Sequence, residues 1–413
     1  MPSQPRPTRS LRALYLGTGL PPSVKALGAT SFFQDVASEM VYPLLPAFLA
    51  ALGGGPLVLG AMESIAEGML AILKGAAGRW SDRLGRRKPF VSAGYGLSAL
   101  TRPFLALAGA AWQVVALRGV DRVAKGLRTA PRDALIAGAV EPERRAYAFS
   151  FHQGLDHLGA AVGPLAAAAV LYFAPGRVRL VFALATIPAV IGWLTVQIFT
   201  REPDTAASAS GASAGAAPTA KPAAASLPRA LWLPLLAFLL FSLGNASDAF
   251  LLLRAANAGL DATGLALLWS GFHVVKWLAS APAGRLADRL GPKPQILAGW
   301  AVYAIVYAGF AFVTGLPALL AWFALYAVYY GLTEGAQRAL VVRLAGKDVG
   351  LGSSLGAFHL ATGLGTFAAS LLFGVLWQEI SPAAAFLTGA GLAAAGAALL
   401  LLARDSSAAP ATA

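Results

Sequence analysis

Apolar residues in this chain come in long blocks separated by short polar segments. Twelve blocks fall near residues 27–52, 56–77, 89–109, 112–138, 146–173 and 177–200, then 230–257, 262–282, 294–314, 317–342, 352–377 and 382–403. An apolar run of about 18 or more residues is long enough, as a helix, to cross the hydrocarbon core of a bilayer. Backbone N–H and C=O groups cannot be left unpaired in lipid, so the blocks are predicted to be α-helices.

The same pattern divides the chain in two. Between the sixth and seventh blocks, residues 201–228 read "REPDTAASASGASAGAAPTAKPAAASLP". This Ala/Ser/Gly/Pro-rich stretch has too little large apolar surface to fold and reads as a flexible linker. The expected organisation is an N-terminal segment 1–26, a six-helix half 27–200, the linker 201–228, a second six-helix half 229–403 and a tail 404–413.

Composition sharpens this picture. Of 413 residues, 57% are hydrophobic and 12% charged, against roughly 25% charged in soluble domains. Mean hydropathy is +0.65. A soluble chain of this length would need far more polar surface. The net charge of +13 sets orientation rather than marking a nucleic-acid binder. Lys and Arg cluster in the tail (Arg6, Arg9, Arg12, Lys25), in the loop after block 2 (Arg79, Arg83, Arg86, Arg87, Lys88), after block 4 (Arg144, Arg145), in the linker (Arg201, Lys221, Arg229) and after block 8 (Arg285, Arg289, Lys293). These segments share one side. The basic side is the cytoplasmic one, so both termini are expected in the cytoplasm of a chain in the bacterial inner membrane. Arg177 and Arg179, after block 5, break the pattern. There is no Cys, which rules out disulfides, thiolate catalysis and Cys-ligated metals.

One charged phrase occurs twice. "AGRWSDRLGRRKP" (77–89) returns 206 residues later as "AGRLADRLGPKP" (283–294). "KGLRTAPRDALI" (125–136) is similar to "YGLTEGAQRALV" (330–341), "SFHQG" (150–154) to "AFHLA" (357–361), and "QDVASEMVYPLL" (34–45) faintly to "GNASDAFLLLRA" (244–255). Six helices were duplicated in parallel, the construction of a transporter whose halves rock about a site at their interface.

Gly78-Arg79-Trp80-Ser81-Asp82-Arg83-Leu84-Gly85-Arg86-Arg87-Lys88 resembles the signature loop between helices 2 and 3 of the major facilitator superfamily. The family usually has Leu where Trp80 stands. Gly284, Asp288, Arg289 and Gly291 belong to the weaker copy between helices 8 and 9, where Pro292 replaces a basic residue. The resemblance covers essentially the whole chain. It implies a cytoplasmic gate: Gly78 lets helix 2 end close to helix 11, and Asp82 meets the positive N-terminus of that helix near Gly352 and Ser353. A positive-inside anchor accounts equally for the Arg and Lys, but not for the repeated Gly and Asp. "RVAKGLRTA" from Arg122 resembles a motif of the family's exporters that implies proton coupling at Arg122, with Lys125 where Gln is usual. "GAAVGP" from Gly159 through Gly163 to Pro164 resembles the antiporter motif of helix 5, although Ala167 and Ala168 replace its Gly-Gly and Ser150 its upstream Gly. An ordinary small-residue helix contact is the other reading of that stretch.

Ionisable groups at membrane depth are costly and so are functional candidates. Asp35 and Glu39 on helix 1, and Glu63 and Glu67 on helix 2, are each spaced i, i+4 on one face. Such a pair can hold a proton and trade it for a cationic substrate. Arg118, Asp121 and Arg122 lie deep on helix 4, where Arg118 and Asp121 are expected to pair. Asp156 lies on helix 5, His273 and Lys276 share a face of helix 8, and Glu334 and Arg338 stand one turn apart on helix 10.

The expected fold is an all-α membrane protein of twelve transmembrane helices in two pseudo-symmetric six-helix bundles. The expected function is proton-coupled export of a small organic compound by a monomer, powered by the proton gradient, with no cofactor, no metal and no nucleic acid. Import of an organic anion through Arg118, Arg122, Lys276 and Arg338 is the alternative, and lipid flipping is another. An enzyme would need a catalytic constellation that short loops leave no room for. "GLGSSLG" (350–356) is Gly-rich, but no strand precedes it.

Overall fold

The computed structural model describes residues 17–141, 145–200, 228–345 and 351–403, and every regular element among them is helical. The segment before residue 17, the linker through residue 227 and the tail from 404 lie outside the described residues. Span 1 runs Pro22–Val41, tightens into a 3-10 turn at Tyr42–Leu44 and resumes at Leu45–Ala51. Spans 2 to 5 are Pro56–Leu84, Lys88–Leu107, Ala111–Gly138 and Arg145–Phe173. Span 6 is Val178–Leu184 with Thr186–Phe199, and span 7 is Arg229–Gly244 with Ala249–Asn257. Spans 8 to 12 are Ala262–Leu290, Pro292–Phe312, Leu316–Ala345, Leu351–Glu379 and Pro382–Leu402. Twelve crossings return the chain to the side it started from, here named the terminal side; the opposite side is the far side.

Among the described residues, eight spans are long and apolar enough to cross a membrane by that criterion alone. Spans 1, 3, 4 and 8 fall short. They carry Asp35 and Glu39, Arg102, Arg118 to Arg132, and His273 with Lys276. Polarity is concentrated where the bundle interior can shelter it from lipid.

The interruptions have local causes. Pro43 and Pro46 lack N–H donors, so span 1 cannot keep a regular ladder there. Span 7 opens at Gly244-Asn245-Ala246-Ser247-Asp248. Its freed groups are satisfied by neighbours: the Tyr303 hydroxyl donates to the Gly244 carbonyl at 2.9 Å, and the Ser247 amide donates to Ser370 Oγ at 3.1 Å. Irregular backbone at membrane depth survives only under such cover.

The repeated phrase is not a loop. Span 2 continues to Leu84 and span 8 to Leu290, so Arg79, Arg83, Arg285 and Arg289 stand on the last helical turns. The turn after span 2 is only 85–87. Gly85 (φ 62°) and Gly291 (φ 80°) each take a positive φ, open to glycine, where the helix stops. Gly85 has open space where a side chain would go, so it is kept for backbone conformation rather than packing. The closing Lys of each copy has the same task. Lys88 Nζ donates to the Gln197 carbonyl at 2.9 Å, and Lys293 Nζ to the Leu401 and Ala403 carbonyls at 3.3 and 2.5 Å. Each caps the C-terminal end of the sixth span of its own half, where the helix dipole favours a cation.

Candidate functional site

The halves meet along two seams, span 2 against span 11 and span 8 against span 5. Ser64 Oγ donates to the Phe367 carbonyl at 2.7 Å, and Ser270 Oγ donates to the Ala161 carbonyl at 3.0 Å. Ser270 lies 206 residues beyond Ser64, and Phe367 lies 206 beyond Ala161. The duplication therefore makes one contact twice. The first seam is closed further by glycine: a Cβ on Gly60 would come within 2.4 Å of the Ser370 carbonyl oxygen and 3.2 Å of the Gly374 Cα. These contacts all lie in the far-side parts of their spans.

Between the seams, charged side chains form a ladder through the first half. Arg118 grips Glu63 with two nitrogens, Nε to Oε1 at 3.0 Å and Nη2 to Oε2 at 3.3 Å. Its guanidinium lies over the Tyr42 ring, 5.1 Å from the centroid. Ser247, at the break in span 7, donates to Glu63 Oε2 at 2.9 Å, so the ladder reaches into the second half. The expected Arg118–Asp121 pair is present but long, at 4.0 Å. Asp121 is held more closely by Arg102 at 3.1 Å and by the Ser98 hydroxyl at 2.5 Å. Arg102 also donates to Ser38, and Arg128 donates to Ser98 while covering the Tyr95 ring. Arg102 and Asp121 are almost fully buried. Burial of charge is tolerable only because each member has a partner.

A second link crosses the interface in the opposite sense. Trp269 Nε1 on span 8 donates to Glu39 Oε2 on span 1 at 2.7 Å, and His273 Nε2 lies 3.9 Å from the same oxygen. Trp269 and His273 stand 206 residues beyond Glu63 and Glu67. Span 2 of the first half thus reaches span 7, while its counterpart, span 8, reaches span 1.

The remaining predicted residues are spread around these links. Asp35 sits one turn before Glu39, within electrostatic reach of Asp156, Lys125 and Glu39. A Cβ on Gly159 would lie 3.0 Å from Asp35 Cβ, and one on Gly163 would lie 2.9 Å from Glu39 Cβ. The two glycines bring span 5 against the carboxylate pair itself, on a helix that also contains Pro164. Asp156 Oδ2 approaches His152 Nδ1 at 3.5 Å. Arg122 is half-buried and within electrostatic reach of Glu63, and Glu67 acts on Lys74. Lys276 Nζ lies over the Tyr330 ring, 4.2 Å from its centroid. Of the signature residues, Arg83 and Arg86 are exposed and Arg87 half-exposed beside Gly85. The side chains of Asp82, Gly78, Gly284, Asp288, Arg289, Glu334 and Arg338 lie outside the described residues, as do those of Gly352 and Ser353.

Four central residues escape a reading of sequence. Arg102 is the lone cation in the interior of span 3, beyond Lys88 at its start, and that isolation was its signal. Asp248 accepts the Tyr326 hydroxyl at 2.6 Å and the Tyr330 hydroxyl at 2.9 Å; its signal was the polar "GNASDA" inside an apolar block. Ser247 lies in the same stretch. Trp269 is one apolar residue among many, found only through the repeat.

Comparison with known proteins fits this architecture. The Major Facilitator Superfamily profile matches residues 27–255 and 249–413. An uncharacterized MFS-type transporter of Methanocaldococcus jannaschii is 34% identical over 391 residues, 92% of this chain and 94% of the relative. An uncharacterized protein of Mycobacterium tuberculosis is 26% identical over 86% of each chain. In fold, the chain is similar to a POT family transporter in complex with 5-aminolevulinic acid, with TM-score 0.75, 12% identity and coverage of 93% and 96%. It is likewise similar to a D-xylose–proton symporter, with TM-score 0.70, 17% identity and coverage of 92% and 97%. With a family profile over both halves and a relative matched nearly end to end, the chain is a multi-pass membrane transporter belonging to the major facilitator superfamily.

Proposed function

We propose that this transporter exports a small organic solute in exchange for protons, acting as a monomer in the bacterial inner membrane with both termini in the cytoplasm. The observation that carries the reading is Glu39, which is held by Trp269 across the interface with His273 beside it. A carboxylate whose partner sits on the other half must exchange that partner when the halves rock. Protonation of Glu39 weakens its charge-assisted bond to Trp269 and loosens the far side. Deprotonation restores the bond and closes it. Proton movement is thereby tied to access, and a cationic solute can compete for the same carboxylate. The joined far-side seams support a state open toward the terminal side. Transport of this kind needs no cofactor.

The test is accumulation in proteoliposomes under an imposed pH gradient, against a panel of organic cations and anions. Glu39→Gln is expected to abolish gradient-driven accumulation and to keep downhill exchange. Full gradient-driven accumulation by Glu39→Gln would remove Glu39 from the coupling role.

One observation favours a second reading. Arg122 Nε is buried without a hydrogen-bond partner among the described residues. A half-buried cation with one buried donor to spare suits an organic anion, taken up together with protons. If only anions in the panel are moved, and Arg122→Gln abolishes their transport, that reading replaces export of a cation.

A further inference from the structure

Arg177 and Arg179 break the charge rule, since they sit on the far side of the membrane; Arg254, at the far end of span 7, is turned onto the Phe310 and Val313 carbonyls. Topology gives no reason to keep Arg177 and Arg179 there, and the transport site makes no use of them. They line a groove of about 640 Å³ together with Leu44, Ala47, Phe48 and Ala51 of span 1 and Ala262 at the start of span 8. Arg179 is fixed: its Nη1 donates to the Ala106 carbonyl at 2.8 Å, and its guanidinium lies 5.1 Å from the centroid of the Phe48 ring. A guanidinium carries five N–H donors in a planar fork, so this anchoring leaves donors available to an acceptor. Arg177 is exposed beside it.

An apolar trough with two guanidiniums at its rim is complementary to an amphiphile that has an anionic head and a hydrocarbon tail. The trough opens where the ends of spans 1, 3, 6 and 8 reach the far surface, the depth at which a lipid headgroup sits. We propose that this groove binds an anionic phospholipid, with the phosphate held by Arg177 and Arg179 and an acyl chain laid along span 1. Ala262 belongs to the second half and the rest of the lining to the first, so a lipid seated there spans both halves. It holds their far ends together and favours the state with the far side closed, because a ligand shifts an equilibrium toward the state it binds better.

The experiment uses the purified full chain in detergent, with thermal unfolding and native mass spectrometry as readouts. The probes are phosphatidylglycerol, phosphatidylcholine and soluble glycerol phosphate. Phosphatidylglycerol is expected to raise the unfolding temperature and to stay bound in the gas phase; the other two are not. Arg177→Gln, at an exposed position, is expected to lose most of the shift without lowering the unfolding temperature in phosphatidylcholine. Ala47→Trp fills the trough and leaves both arginines in place, and it too should lose the shift. Three results would overturn the proposal: an undiminished shift in Arg177→Gln, an undiminished shift in Ala47→Trp, or saturation of the effect by glycerol phosphate alone. The readout is independent of transport, so the outcome is distinct from that for proton coupling.

Discussion

Arg102 and Tyr307 occupy equivalent places in spans 3 and 9, 205 residues apart. The offset falls from 206 because the second signature copy, "GPKP", is one residue shorter than "GRRKP". At that spacing Ser98 corresponds to Tyr303, Asp121 to Tyr326, Lys125 to Tyr330 and Tyr95 to Trp300. In the first half these positions hold a buried ion-pair ladder, with Arg102 and Asp121 at 3.1 Å. In the second half they hold a column of rings: Tyr303 stacks on Tyr307 at 4.1 Å, Tyr326 lies 6.0 Å from both, and Trp300 stacks on Phe241 at 4.3 Å. One ancestral scaffold has been filled with charge on one side and aromatic surface on the other. A charged ladder can exchange partners when its neighbours move, and this one ends on Ser247 across the interface. A packed ring column has no second arrangement of similar energy.

The sharpest way to break the contrast is to cut both halves at the same place. Arg102→Met leaves Asp121 buried without its closest cation, and removing one member of a buried pair costs about 3–5 kcal/mol. Tyr307→Phe removes only a hydroxyl, at about 1 kcal/mol. Thermal unfolding in detergent is expected to show the first far below the second; equal losses would mean the ladder is not under electrostatic control. Next in size is the crossing link. Trp269→Phe keeps the ring packing and deletes one bond to a carboxylate, worth about 1.5–3 kcal/mol. The chain has no Cys, so spin labels on Ala51→Cys and Asp261→Cys can report the far-side distance between the halves. That distance is expected to widen in Trp269→Phe, and no change would show that the link does not hold the halves.

The twin seams call for a finer test. Ser64→Ala and Ser270→Ala should each open the same label pair by a similar, smaller amount, about 1 kcal/mol apiece. Being separate, they should add within about 0.5 kcal/mol. A large effect at one seam and none at the other would show that the seams are equivalent only in appearance. The smallest expected effect belongs to the lysine caps. Lys88→Gln and Lys293→Gln should each lower stability by about 0.3–1 kcal/mol, with the loss shrinking as salt is added. An effect unchanged by salt would rule out the dipole interaction.

Much of the fold was legible because lipid enforces it: a long apolar block must become a helix, and the position of Lys and Arg follows from topology. The break in span 7 was not, because Tyr303 and Ser370, which satisfy its backbone, lie 59 and 123 residues away from the groups they cover. At the site, carboxylates announce themselves at membrane depth, so Glu39 and Glu63 were named. Their partners were not. Arg118 does meet Asp121, three residues along its own helix, but only at 4.0 Å, and it grips Glu63, 55 residues away, more closely. Local spacing predicts the neighbours a helix offers and misses those that packing brings. The repeat carries these partners too: the shift that aligns His273 with Glu67 aligns Trp269 with Glu63.

The glycine contact between the halves bears on how descendants of this gene can diversify. At Gly60 the smallest possible replacement adds a methyl group 2.4 Å from a backbone oxygen that cannot move aside. Any side chain there is expected to disturb the seam before it can be tried on a new solute. Lys276 and Tyr330 face no such limit, since they meet through side chains rather than backbone. Inheritance is therefore expected to keep the hinge line constant while substrate preference drifts, so that recognition can be rewritten without relearning how to move.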